Sequence, residues 1–270
     1  MLALIGGLLI GISLGLLGSG GSILTVPVLA YGLGHVQKVA IAESLLIVGS
    51  IALLGSLSYM RMRQVCWRTA LIFGIPGMAG TYGGAVMAKY VSGSLQLLVF
   101  GVVILAAAGL MFRPPAPSEE SRHPKHPLFL VILQGASIGI LTGFVGVGGG
   151  FLIVPALVLL RGLRIHQAIG TSLLIIAFNS SSGFLKYLET LRAAQLSVDW
   201  GTIGLFIALG TLGTIMGARI SKRLDPRTLR RMFAVFLVAM SLLIIYREGS
   251  ALLSPDSSGH EAQARTLDAL

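Results

Sequence analysis

Two glycine clusters are the residues whose spacing best suits the binding of an anion. The motif GLLGSGGSILTVP begins at Gly15 and GFVGVGGGFLIVP begins at Gly143, each in the middle of a long uncharged apolar stretch. A helix interrupted inside a membrane exposes backbone N–H groups and a positive dipole end where its second half begins, and that end attracts anions. The predicted substrate contacts are Gly18, Ser19, Gly20, Gly21 and Ser22 in the first cluster, and Gly146, Gly148, Gly149 and Gly150 in the second.

The glycines have two alternative interpretations. Small residues along apolar helices allow close helix packing, and glycine-rich loops can cradle a nucleotide. Neither cluster matches G-x-G-x-x-G and no G-K-S/T follows, which disfavours a nucleotide loop. Pro27 and Pro155 follow the two clusters at the same distance, and this repeated arrangement favours a binding role over packing alone. Only the first cluster contains serines, so the two sites are predicted to differ chemically.

Polar residues in the apolar segment 165–185 form a second candidate group. Spacings of seven and four residues place Ser172, Asn179 and Gly183 on one helix face. Small polar residues also join helices by hydrogen bonds, but the amide of Asn179 both donates and accepts, and it is expected near the depth of the glycine clusters. The predicted substrate contacts are Asn179, Thr171 and Ser172 from this segment, and Ser44 from the corresponding segment 39–60.

Glu43 is the only acidic residue inside an apolar segment. Ionisable groups within a membrane are candidates for function, so Glu43 is a candidate for carrying a proton coupled to anion movement. A structural role is equally consistent, because Glu43 lies in the first turns of its helix, where a carboxylate complements the dipole. No His, Cys, Asp and Glu cluster has metal-ligand spacing and no catalytic set can be assembled. We therefore predict no metal site, no cofactor and no enzymatic activity.

The composition is typical of a membrane protein. Of the 270 residues, 54% are hydrophobic and 11% are charged, whereas a soluble domain carries about 25% charged residues. The net charge of +10 comes from basic residues in short connections, where they orient a chain in a bilayer, and it does not indicate a nucleic-acid partner. The apolar segments of roughly spanning length are 1–33, 39–60, 69–88, 90–112, 128–160, 165–185, 200–218 and 232–246.

An internal duplication divides the chain into two halves. Shifting the second half back by 128 positions aligns residues 7–59 with 135–187 without a gap, and 22 of the 53 pairs are identical. A proline-rich, charged stretch separates the halves. The predicted organisation is a first membrane repeat at 1–112, a linker at 113–127, a second membrane repeat at 128–247 and a disordered polar tail at 248–270.

The distribution of basic residues predicts how the halves are oriented. If every segment crossed once, the 20 Lys and Arg would divide ten to ten; if segments 1–33 and 128–160 fold back at their glycines, they divide fourteen to six. We therefore predict an all-α polytopic protein of the cell (inner) membrane, made of two inverted-topology repeats. Each repeat would contain a glycine-broken re-entrant or hairpin segment, of half or full depth, plus three transmembrane helices. Both termini would lie outside and linker 113–127 would be cytoplasmic.

These motifs resemble those of the TauE/SafE, or TSUP, family of membrane anion permeases. The likeness rests on GLLGSGGSILTVPVL and GFVGVGGGFLIVPALVLL, on AIAESLL and AIGTSLL, and on GTLGTIMGAR, and it covers almost the full length. It implies a secondary transporter for sulfur-containing oxyanions such as sulfite, or for organosulfonates. Family members commonly carry Thr-Ser where this chain has Glu43 and Ser44, so equal use of both halves is not implied.

These features together predict a permease that moves a small anion through the lipid bilayer by alternating access. The two glycine breaks are expected to meet near the membrane midplane and to hold the anion there. Coupling to protons or to the membrane potential is expected, because no nucleotide motif offers another energy source. The alternatives are an anion channel of the same architecture, a non-transport membrane enzyme subunit, and a structural scaffold in which the glycines serve packing only.

Overall fold

A computed structural model describes residues 2–18, 20–112, 128–146, 150–159, 161–221 and 223–253, and these residues form helices and short connections. One π-helix, Val28–Gly32, follows α2. The α-helices are α1 (Leu2–Leu17), α2 (Gly20–Pro27), α3 (Gln37–Arg61), α4 (Trp67–Ala88), α5 (Gly93–Phe112), α6 (Leu128–Val145), α7 (Gly150–Leu159), α8 (Ile165–Ala193), α9 (Trp200–Ser221) and α10 (Pro226–Leu253).

Five helices in the described part of the chain are long and apolar enough to cross a membrane. They are α3, α4, α8, α9 and the stretch Arg231–Gly249 of α10. The predicted spans 1–33 and 128–160 are each divided into two shorter helices, and segment 90–112 contributes the shorter apolar helix Gly93–Gly109. The chain is therefore an all-helical, multi-pass membrane protein with two interrupted segments.

Helix α1 packs against α9 so closely that no side chain fits between the two backbones. A Cβ placed on Gly11 would collide with the carbonyl of Gly210, and a Cβ on Gly15 with the carbonyl of Thr214. Both contacts advance by four residues in each helix, so α1 and α9 run in the same direction. Small residues at this spacing are typical of helix pairs in membranes, where close backbone approach strengthens van der Waals packing.

Helix α6 packs against α4 in the corresponding way. A Cβ on Gly139 would meet the carbonyl of Gly77, and one on Gly143 the carbonyl of Thr81. The broken helix of each half thus pairs with an unbroken helix of the other half, α1 with α9 and α6 with α4. The two halves are therefore interlocked.

Helices α3 and α8 form the buried centre of the bundle. In their most apolar stretches, 78% of α3 and 72% of α8 is buried. Gly49 of α3 faces Ser180 of α8, and Tyr59 faces Gly170. Residue numbers rise along one helix as they fall along the other, so α3 and α8 are antiparallel.

Directions of the neighbouring helices follow from contacts to α3. Gly210 of α9 lies against Ile51, and Thr214 lies against Gly55, so α9 runs parallel to α3. Because α1 is parallel to α9, α1 and α3 also share a direction. The chain must therefore reverse between them, and α2 with the π-helix forms this return.

The predicted linker 113–127 lies outside the described residues. Helix α10 continues to Leu253, whereas the polar tail was expected to begin at residue 248. That boundary is too early, because residues 248–253 extend the helix. Residues 254–270 also lie outside the described part of the chain.

Two glycines of α9 provide a matched test of the interlocked packing. A Cβ on Gly213 would lie 2.5 Å from the carbonyl oxygen of Leu8, whereas a Cβ on Gly204 meets no atom within 4 Å. We expect Gly213→Ala to reduce stability by about 1–3 kcal/mol through overpacking, and Gly204→Ala to leave it unchanged or raise it by up to about 1 kcal/mol. Thermal unfolding in detergent measures both; equal melting temperatures would contradict the packing of α1 on α9.

Candidate functional site

Each glycine cluster begins with a glycine in the left-handed region. Gly18 and Gly146 both have φ of +76°, a conformation that costs little only without a Cβ. The N–H of Gly18 donates to the carbonyl of Leu14, and the N–H of Gly146 to that of Thr142, each over 2.8 Å. Both residues thus end their helices with the same left-handed cap and turn the chain into α2 or towards α7.

Hydroxyl groups from α3 and α8 bind the carbonyls at the end of α1. Tyr59 Oη donates to the Gly15 carbonyl over 2.7 Å, and Ser172 Oγ lies 3.2 Å from the Gly18 carbonyl. Last-turn carbonyls lack helical partners, and hydrocarbon offers no water to replace them. The first break is therefore satisfied by side chains from both central helices.

The second break is held by the equivalent residues with the central helices exchanged. Ser44 Oγ of α3 lies 3.1 Å from the Gly146 carbonyl, and Tyr187 Oη of α8 lies 3.3 Å from the Phe144 carbonyl. Gln96 Nε2 also donates to Phe144, over 2.8 Å. The breaks are thus built alike in the two halves.

Tyr59 and Tyr187 lie inside the bundle, although aromatic residues near the ends of apolar segments are common at the membrane surface. They are 1% and 3% exposed and bind backbone. Trp67 and Trp200 begin α4 and α9 and are 53% and 63% exposed. The two tyrosines are therefore part of the support of the breaks.

Ser44 and Ser172 use their hydroxyl hydrogens within the protein. Each Oγ also lies 2.8 Å from a carbonyl three residues earlier, that of Ile41 or Ile169. A hydroxyl carries a single hydrogen, so little donor capacity remains for a ligand. Thr171 Oγ1 accepts the N–H of Cys66 over 3.0 Å. In this structure the three hydroxyls hold backbone in place.

The two breaks lie on opposite sides of the middle of the central helix pair, which corrects the expectation that they meet at mid-depth. Ser44 lies five residues before Gly49, and Ser172 lies eight residues before Ser180, which faces Gly49. Because the helices are antiparallel these offsets add to thirteen residues, or about 20 Å at 1.5 Å per residue. The hairpins are deep enough for each break to pass the middle of the bundle.

Several predicted contacts at the breaks lie outside the described residues, namely Ser19, Gly148 and Gly149. Gly20 begins α2 and Gly150 begins α7. Gly21 packs against the backbone of Ile10 in α1, and Ser22 is 0% exposed. Gly20, Gly21, Ser22 and Gly150 therefore lie at the starts of α2 and α7.

Asn179 lies between the two breaks, on α8. Its side chain is 0% exposed, and neither Oδ1 nor Nδ2 has a hydrogen-bond partner. It faces Gly77 of α4, where a Cβ would lie 2.8 Å from Oδ1. The neighbouring Ser180 Oγ is also buried without a partner. A buried polar group without a partner is rare and requires an explanation.

Glu43 is also fully buried, but both carboxylate oxygens have partners. Oε1 accepts the backbone N–H of Asp199 over 2.7 Å, and Oε2 lies 2.6 Å from His35 Nδ1. Glu43 therefore joins the start of α3 to the start of α9 and to the preceding loop. Sequence reasoning missed His35, because it lies in a connection between helices. Among the described residues no group of three His, Cys, Asp or Glu side chains could hold a metal.

Comparison with known proteins shows similarity over almost the whole chain. A family profile described as "Sulfite exporter TauE/SafE" matches residues 3–244. A probable membrane transporter protein of Xylella fastidiosa (strain Temecula1) is 33% identical over 254 residues, covering 91% of this chain and 95% of the relative. Another from Methanocaldococcus jannaschii is 26% identical over 256 residues, covering 90% and 94%. No solved structure matches the chain.

The tyrosine hydroxyls provide a test of how the breaks are held. Tyr59→Phe leaves a last-turn carbonyl of α1 without its partner, so we expect stability to fall by about 1–3 kcal/mol. Tyr246→Phe is the control, because Tyr246 is 77% exposed. Thermal unfolding of the purified variants measures the difference. Equal melting temperatures would show that the first break does not depend on Tyr59.

Proposed function

This chain belongs to the sulfite exporter TauE/SafE family, and we propose that it moves a small sulfur-containing oxyanion, such as sulfite or an organosulfonate, by alternating access. Family membership and five candidate spanning helices make it a multi-pass membrane transporter. The anion and the mechanism are the proposal. We further propose an inner-membrane location with both termini outside and linker 113–127 cytoplasmic, which a C-terminal reporter found in the cytoplasm would contradict.

The observation that carries this proposal is the unpartnered amide of Asn179. Leaving a buried polar group unsatisfied costs about 1–3 kcal/mol, so such a group in the middle of a transporter indicates a position that a ligand completes. Nδ2 supplies two N–H donors to anion oxygens, and the adjacent Ser180 hydroxyl can supply a third donor. Because Gly77 has no side chain, the amide packs directly against the backbone of α4.

We propose that the two halves form an inverted repeat, an architecture that suits alternating access. When the first half is mapped onto the second, the pair of α1 and α9 corresponds to the pair of α6 and α4. This correspondence is expected for an approximate two-fold rotation. The equivalent helices α3 and α8 are antiparallel, so such an axis would cross them and lie in the membrane plane. The axis would lie where equivalent residues of α3 and α8 are at the same level. Because Gly49 is opposite Ser180, this level is that of Ile51 and its repeat equivalent Asn179. Transporters of this architecture commonly bind substrate at that position.

We assign the two glycine breaks to the two ends of one anion path. Ser172 and Asn179 are seven residues apart on α8, so the first break lies about 10 Å from the amide, and the second lies a similar distance on the other side. The starts of α2 and α7 offer N–H groups at these ends. The residues assigned to the ends are Gly18, Ser19, Gly20, Gly21 and Ser22, and Gly146, Gly148, Gly149 and Gly150.

The remaining polar candidates are assigned to positioning. Ser44 and Ser172 hold the breaks, and Thr171 holds the loop before α4. Because no nucleotide motif occurs in the sequence, we propose that transport is driven by protons or by the membrane potential. Glu43 is the candidate for proton coupling.

Reconstitution into liposomes tests the proposal and its alternatives. Vesicles preloaded with sulfite or sulfoacetate are expected to show saturable counter-transport of labelled external anion. Anion flux without counter-transport would indicate a channel, and chemical turnover of the anion would indicate an enzyme. Binding of a cation with no binding of sulfite, sulfate, thiosulfate, sulfoacetate or carboxylates would overturn the proposal.

Asn179→Leu separates a binding role from a structural role. The two side chains have nearly the same shape, and no hydrogen bond within the protein is lost, so we expect an unchanged or higher melting temperature. Anion counter-transport is expected to fall at least about tenfold, equivalent to about 1.4 kcal/mol of lost interaction. The control is Ser181→Ala on the same helix, because Ser181 is exposed and bonds only the Ala177 carbonyl. Wild-type transport by Asn179→Leu would contradict the assignment.

A further inference from the structure

The first repeat carries a titratable pair where the second repeat carries neutral residues. His35 and Glu43 correspond to Leu163 and Thr171 under the 128-residue shift. The His35 Nδ1 to Glu43 Oε2 distance is 2.6 Å, and the Glu43 side chain is 0% exposed while that of His35 is 19% exposed. The helices around the pair have counterparts in the second repeat, so the pair itself is a feature of the first repeat only.

Glu43 and Thr171 perform the same structural task. Glu43 Oε1 accepts the N–H of Asp199, the residue before α9, and Thr171 Oγ1 accepts the N–H of Cys66, the residue before α4. A neutral hydroxyl is therefore sufficient to hold a helix start at this position. Holding the helix start requires neither the charge of Glu43 nor its second oxygen, Oε2. That oxygen instead contacts His35. Burying a carboxylate is costly, so a structural role alone does not account for it.

The pair joins α3 to the segment that returns from the first break. This return segment, residues 20–36, contains α2, the π-helix and the loop that ends at α3. His35 binds Glu43 near its end, and Tyr31 in the π-helix donates a hydrogen bond to Glu248 of α10, which is 2% exposed. Two buried carboxylates thus hold the return segment, and the equivalent position to His35 in the second half is apolar.

We propose that His35 and Glu43 form the proton-binding site of this transporter, and that loading it couples proton movement to anion movement. This inference rests on the proposed anion transport. A charge-assisted hydrogen bond joins Nδ1 and Oε2 when the imidazole is protonated and the carboxyl group is ionised. Binding of one further proton by Glu43 neutralises the carboxylate and weakens this hydrogen bond. The return segment, and with it the first break, is then released from α3.

Other charged groups lie at the same end of the bundle as His35 and Glu43. The Thr202 hydroxyl and the backbone N–H groups of Thr202 and Gly201 hold the pKa of Asp199 below its usual range, and nearby His35 adds to this, so Asp199 stays ionised at neutral pH. Lys186 is paired with Glu189. Further charged or titratable groups at this end, among the described residues of adjoining elements, include Lys38 on α3, Lys89 and Tyr90 after α4, Tyr187 and Arg192 on α8, Tyr31 in the π-helix, and Arg247 and Glu248 on α10.

The test replaces each residue with its equivalent from the second repeat, Glu43→Thr and His35→Leu. Proteoliposomes are held at zero membrane potential with a potassium ionophore, and sulfoacetate, thiosulfate and sulfate serve as probes because their charge is constant near neutral pH. A one-unit pH gradient can sustain up to about tenfold accumulation of an anion that moves with one proton. Wild type is expected to approach this value and to acidify or alkalinise the lumen, as reported by a trapped pH dye.

Both variants are expected to lose accumulation, giving equal anion concentrations on the two sides, while counter-transport at equal pH continues. The matched control is Glu189→Gln, which removes an exposed acid at the same end and should accumulate anion as wild type does. Gradient-driven accumulation by Glu43→Thr or His35→Leu at the wild-type level overturns the inference. If Glu43→Thr fails to fold, Glu43→Gln and His35→Leu decide by the same criterion. Absence of counter-transport in wild type would instead overturn the proposed function.

Discussion

The structure depends on satisfying the backbone where two helices stop inside the bundle. An unpaired carbonyl in hydrocarbon costs several kcal/mol, so an interrupted helix persists there only if side chains replace the missing helical partners. Tyr59 and Ser172 do this for α1, and Tyr187 and Ser44 do it for α6. All four hydroxyls come from α3 and α8, so the central helix pair is the support on which both breaks rest.

This support is symmetric, whereas the groups proposed to act on ligands are not. The four hydroxyl residues and the glycines at the two turns are identical between the repeats. Asn179 corresponds to Ile51, Glu43 to Thr171 and His35 to Leu163. Each asymmetric residue is a polar or charged group whose counterpart in the other repeat is apolar or uncharged. A duplicated fold can thus keep a position uncharged in one copy while the equivalent position in the other copy acquires a binding group.

Composition and glycine spacing predicted the helical membrane class, the duplication and the interruptions at Gly18 and Gly146. The expectation that the two breaks meet near the midplane was wrong, and the depth of each hairpin was left open, because a one-dimensional pattern does not show where a hairpin stops relative to other helices. Glycines at 7, 11 and 15, and at 135, 139 and 143, recur every four residues. That spacing is a signal for helix packing, and it could have identified the close contacts of α1 and α6. The unpartnered amide of Asn179 and the role of His35 required coordinates, because both depend on contacts between distant segments.

The central claim is that the two breaks open alternately to opposite sides of the membrane. Ser172→Cys and Ser44→Cys, each made with Cys66→Ser, place a single thiol beside one break with minimal change in side-chain size. The measurement is the rate of modification by a membrane-impermeant thiol reagent in vesicles of both orientations, with and without sulfoacetate. Alternating access predicts that the anion changes the two rates in opposite directions, each from its own side. Rates that rise together, or that do not respond to any transported anion, would contradict the account.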